Sequence, residues 1–365
     1  MRPNTVRPCL MLVLALAATG CAGGAEDWST KGQSIQKTPP PIEQVDLRPE
    51  SRQQAWSQIP THKEQASAID LLQQAAIDQR PILRANALEG LLPSPSSLEP
   101  LVRRSLVDPN RGVRFIALMC MADAGLCEDI RLVEPMLEDP SMSVQAAAIY
   151  CLDACDIPVD PSRLASFALS DEPEVRSNAI TILGLLGNPS AVGLVEASIA
   201  QGLGQINPER VKLFELQASA ALVRLGEVEG LEPIRAALFA PMEQGELTVL
   251  ACQLLAELGD LQAQPMLERL VEAEGKVARP IEIRLAAADS LIRLGAQPGE
   301  PTMQLIQESA NSDIDSIRAQ AILALGHLGS ARALDLVQAR LDDPSPLVQI
   351  AAASAMLNIS SSSGS

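Results

Sequence analysis

Residues 172–187 read EPEVRSNAITILGLLG, and their spacing decides the fold. Val175 is followed by Arg176 and then by Ala179, Leu183, Leu186 and Gly187. On a helix turning about 100° per residue, positions 0, +4, +8 and +11 fall within roughly 80° of one another, so this block is a helix with one buried stripe. Gly187 is placed to end it in a left-handed cap. Glu172-Pro173 opens it, because proline fits the first helical turn and an acid there satisfies free backbone amides.

The same frame recurs along the chain. Ile317-Arg318, Ala321, Leu325, Leu328, Gly329 and Ile283-Arg284, Ala287, Leu291, Leu294, Gly295 are close copies, and looser ones begin at Leu83, Val113, Val144, Phe214, Leu247 and Val348. Nine anchors lie about 33 residues apart, a period that marks a repeat array. A second amphipathic segment precedes each block, as at 98–107, 190–200 and 331–341, so the unit is a helix hairpin. Thr61 and Glu64 have capping-box spacing and start the first helix.

Composition agrees. Of 365 residues 47% are hydrophobic but only 2% aromatic, which suits tightly packed helices better than a sandwich or propeller. The net charge of −17 argues against nucleic acid, which is bound by displacing counterions with positive charge. Two His in the whole chain argue against a metal site or repeated acid–base chemistry, and both are read as surface residues. No cofactor, no metal and no catalytic residue is expected, and the chain is read as not an enzyme.

The N-terminus is an address. Arg2 and Arg7 precede an apolar run over 9–18 that is too short to span a bilayer, so 1–20 reads as a signal peptide. Ala18-Thr19-Gly20-Cys21 resembles the lipobox of bacterial lipoproteins. The resemblance implies that Cys21 becomes the first mature residue and carries acyl chains, palmitate among them, each buried methylene adding about 0.8 kcal/mol of anchoring. Ala22 rather than Asp after it implies the outer membrane, facing the periplasm. Residues 21–60, with Pro39-Pro40-Pro41, form a Pro-rich tether. The repeats occupy 61–359, and a Ser-rich tail, expected to be disordered, fills 360–365.

The pattern DPxxxVRxxAxxxLxxLG at about 31 residues resembles HEAT repeats of the short, PBS lyase HEAT-like variety. That implies an all-α, right-handed alpha-alpha superhelix of armadillo-like kind with about nine hairpins. It also implies a ladder between units, from Arg at +1 to the Asp of the next turn. Asp78, Asp108, Asp139 and Asp343 stand five before their anchors, and Arg84, Arg114, Arg176, Arg284 and Arg318 one after. Gln145, Glu215, Thr248 and Gln349 interrupt the row. In this family the second helix lines the concave surface, which puts Phe115, Met119 and Tyr150 in a groove as partner-binding anchors.

Cys127 and Cys155 fall near the ends of neighbouring helices and form a possible disulfide of an exported protein. Cys120 and Cys151 share frame position +7, where other copies have small residues, and Cys252 reads as buried and inert. The function expected is a membrane-tethered, non-catalytic scaffold of the bacterial envelope, attached through its lipid alone, that binds a protein with a basic surface. The alternative, implied by the family's name, is a phycobilin-lyase-like chromophore-handling protein.

Overall fold

In a computed structural model of the chain, the residues described are 60–202, 207–273 and 275–362. They form helices and turns, with no strand among the described residues. The expected signal peptide, Cys21, most of the expected tether and residues 363–365 lie outside them.

Nine hairpins follow one another. Their first helices are α1 (His62–Ala75), α3 (Pro95–Ser105), α6 (Arg163–Ala168), α8 (Val192–Gln201), α10 (Leu231–Ala237), α12 (Gln264–Glu272), α14 (Glu300–Ser309) and α16 (Ala331–Gln338). In the third hairpin this place is taken by two short 3-10 segments, Ile130–Leu132 and Glu134–Glu138. The second helices are α2 (Pro81–Gly90), α4 (Arg111–Asp123), α5 (Met142–Ala154), α7 (Pro173–Leu186), α9 (Pro208–Arg224), α11 (Gly245–Glu257), α13 (Ile281–Arg293), α15 (Asp315–Leu328) and α17 (Pro346–Ser362). Each second helix packs on the next, which makes them a continuous inner layer under the first helices. This is an all-α HEAT-like superhelix.

Local signals act as expected at several ends. Thr61 accepts from the Glu64 amide while the Glu64 carboxylate accepts from the Thr61 amide, completing the capping box. Gly187 and Gly329 end α7 and α15 in the left-handed region at φ 66° and 63°. At the last helix the expectation fails: Ser360–Ser362 continue α17, with Ser360 Oγ donating to the Met356 carbonyl, so the tail begins later than 360. The buried run behind it carries the helix onward.

The ladder is present, with a gap. Arg84 donates twice to Asp108, Arg114 twice to Asp139 and Arg318 twice to Asp343, all at 2.7–3.2 Å. The Asp is not the helix cap. It stands two residues further out and accepts the amides of Asn110, Ser141 and Ser345, which fixes each carboxylate toward the arriving guanidinium. Gln145 and Gln349 keep only the backbone half of the contact, to the carbonyls of Asp139 and Asp343. Arg176 and Arg284 meet no Asp in the next turn and donate instead to carbonyls, Arg176 to Ser170 and Gly202, Arg284 to Val271. The gap therefore spans repeats 3 to 7 and is wider than the substitutions alone suggest.

The array does not end open. α17 packs on α1 and α2, so the last hairpin meets the first and the inner layer closes on itself. A Cβ on Gly90 of α2 would lie 2.2 Å from Ser354 Oγ of α17. Gly184 against Ala221 and Gly326 against Ala355 show the same close approach between successive inner helices, so closure reuses the ordinary repeat contact.

Candidate functional site: the inner layer of the ring

Ala, Gly and Cys at the contact positions of the inner helices let neighbouring backbones approach closely, and larger side chains then fill the remaining face. This overturns the expected groove. Met119 and Tyr150 are each only 2% exposed, and Phe115 is half-buried against the core. Tyr150 donates its hydroxyl to Asp123 at 3.2 Å, across α5 and α4. Met119 and Tyr150 are inter-repeat packing, not solvent-facing anchors, and Phe115 keeps only part of its surface exposed.

What the inner layer does present is a row of polar side chains at frame positions +6 and +10. Arg224 donates to Glu257 at 2.9 Å, and His327 Nδ1 lies 2.6 Å from Asp289. Burial pushes the Glu257 carboxyl above its ordinary range despite Arg224 and Arg293. Burial also pushes Asp289 upward, but His327 and Arg293 outweigh it and hold the carboxyl below its usual value. In repeat 1 the pattern differs. Glu89 is 5% exposed, its Oε1 has no hydrogen-bond partner, and burial together with the Asp123 charge raises it well above the carboxylate range. The +6 and +10 row was open to discovery by aligning the repeats. His327, expected at the surface, is half-buried because it reaches back to the preceding inner helix.

Cys127 and Cys155 are joined, with Cα atoms 5.5 Å apart, and tie the ends of the second and third hairpins together. Cys120, Cys151 and Cys252 lie inside the core and take no part in the disulfide. Burial, aided by the Asp123 charge, pushes Cys151 up to about 12, and burial raises Cys252 as well, so neither supplies a thiolate. No three His, Cys, Asp or Glu gather as metal ligands among the described residues. The group best placed for proton transfer is the His327–Asp289 pair, in which a carboxylate orients an imidazole.

Residues 302–363 match the family of HEAT repeats. That stretch holds the last two hairpins of the array. Over 202 residues it is 27% identical to deoxyhypusine hydroxylase of Mus musculus, covering 54% of this chain and spanning 60% of that relative's length. Among solved structures it is similar to human deoxyhypusine hydroxylase in complex with glycerol, with 18% identity, a TM-score of 0.35, and coverage of 73% of this chain and 96% of that one. It is also similar to the karyopherin Kap121p bound to the extreme C-terminus of the protein phosphatase Cdc14p, with 12% identity, a TM-score of 0.33, and coverage of 80% and 41%. The hydroxylase similarity overturns the expectation that the chain is not an enzyme, since a relative built on such repeats is one. A site gathered from several distant units of a repeat array leaves no compact catalytic motif in the sequence.

Proposed function

We propose that this chain is a lipid-anchored scaffold of the bacterial cell envelope that binds a protein partner with a basic surface. The observation that carries it is the solenoid itself, a stack of hairpins whose rims and outer face offer extended surface for a protein. The net charge of −17 supports a basic partner, which would be attracted over roughly a Debye length of 8–10 Å at physiological salt. The short apolar run over 9–18, followed at once by Gly20-Cys21, supports the tether, with the outer membrane as the address.

The test is crosslinking in native membranes with wild type and Cys21→Ser. Wild type is expected to fractionate with the outer membrane, incorporate labelled lipid and yield one crosslinked protein, while the variant loses the label. A labelled variant defeats the anchor, and an absent crosslink defeats the scaffold.

The hydroxylase relative favours a second reading, in which the chain acts on a protein side chain. His327, oriented by Asp289, is then the proton carrier. Incubation in air with a deoxyhypusine-containing protein and a two-electron reductant should add the mass of one oxygen, the other atom of O2 leaving as water, and His327→Gln should abolish that gain.

A further inference from the structure

We propose that the ring opens at the seam between α17 and the first hairpin, and that an opened chain docks its α17 onto α1 and α2 of a second copy. The seam is built like any other joint between inner helices, since Gly90 admits Ser354 as Gly326 admits Ala355. It differs from the other joints in having no chain connection across it, and like repeats 3 to 7 it lacks a ladder rung. Gln349 stands where the ladder needs Arg and is turned back to the Asp343 carbonyl. Across the seam, the Asp78 carboxylate is occupied by Arg80 of its own turn. The ladder that crosses from Arg84 to Asp108 and from Arg318 to Asp343 thus has no rung here.

The side-chain hydrogen bond described across the seam runs from Gln338 Nε2 to Glu64 Oε1 at 3.1 Å, on the exposed outer edge where water competes. A polar defect adds to this. Asn86 lies one helical turn before Gly90 on the same face of α2, is 2% exposed, and has neither its amide nitrogen nor its oxygen hydrogen-bonded. Opening the seam hydrates both atoms.

The occupant follows from what opening leaves behind. α17 carries no charged residue over its 17 positions and is buried along nearly its whole length, so it cannot remain in water. The face that fits it in shape and register is that of α1 and α2. A second copy presents this face as well as the chain itself does, and exchanging identical elements between copies is a low-cost route to a dimer. The tether is a poorer candidate: residues 22–59 hold five acidic and four basic side chains, whereas α17 holds none.

The test uses full-length single variants Glu64→Cys and Gln338→Cys. The double variant should form the bond within one chain. Two single variants, mixed and oxidised, should give a disulfide-linked heterodimer several-fold above a control mixture of Glu196→Cys and Glu229→Cys, both exposed and distant from the seam. Adding Asn86→Leu to both should lower that yield several-fold, because it removes the defect. The proposal is overturned if the double variant closes but the mixture does not exceed the control. It also falls if the double variant fails to close, since the two sites then do not meet.

Discussion

At Glu89 the inner layer encloses a carboxyl that no described side chain or backbone amide satisfies, and burial raises its proton affinity well above the ordinary 4.5. A carboxyl that binds its proton more tightly when folded contributes its full stability below the unfolded value and loses it as pH rises. Wild type should therefore weaken from about pH 4.5 upward, and Glu89→Gln should melt higher than wild type at neutral pH, by about 1–3 kcal/mol, the usual cost of an unsatisfied buried group. Equal melting of the two proteins across that range would refute the assignment. Asp343 is the opposite case. It is fully buried against Arg318, itself 2% exposed, and Asp343→Ala leaves that guanidinium with only the Ser312 carbonyl and the exposed Asp315, at a cost of about 3–5 kcal/mol. Asp171 stands 4.0 Å from Arg176 but is wholly exposed, so Asp171→Ala should change stability by less than about 0.5 kcal/mol. Denaturant midpoints of the two variants measure the difference.

Among the elements, α4 and α5 show where the sequence is legible and where it is not. Their boundaries follow from the anchor stripe, and the Cys127–Cys155 link follows from the matching helix ends. Reducing that link in the folded protein should cost about 3–4 kcal/mol, read as a lower melting temperature, whereas a Cys127→Ser, Cys155→Ser variant should gain nothing from oxidation. The inward face was misread. The 3.6-residue period separates a buried stripe from its opposite side, but it cannot say whether a neighbouring helix covers that side too. Tyr150 is covered, so Tyr150→Ala should lose about 3–5 kcal/mol by cavity formation. A melt left unchanged by that variant would restore the residue to a surface role. The ladder gap from repeats 3 to 7 was only partly legible, because it depends on where Arg176 and Arg284 find acceptors as well as on which repeats lack the Arg.

On the scale of the whole molecule, closure has its own signature in the sequence. The terminal repeat of an open solenoid needs a polar outer face, and α17 has none, so a charge-free last helix implies that something covers it. What covers it is beyond reading from periodicity, since α1 lies some 270 residues earlier and contacts over that separation leave no local pattern. Closure alters how the array should fail. In an open array a defect in α2 is felt by the adjoining repeats alone, because each unit meets only its neighbours. In the ring, α2 also adjoins α17. Gly90→Val places a branched side chain where even a Cβ falls 2.2 Å from Ser354 Oγ, and α2 must shift away. Hydrogen exchange should then show α1, α2 and α17 losing protection together while α9 and α11, on the far side of the ring, keep theirs. Restoring room with Ser354→Gly should recover protection at both ends of the chain at once. If Gly90→Val instead disturbs α2 and α4 and leaves α17 as protected as in wild type, the first and last hairpins do not support one another, and the array is open in solution.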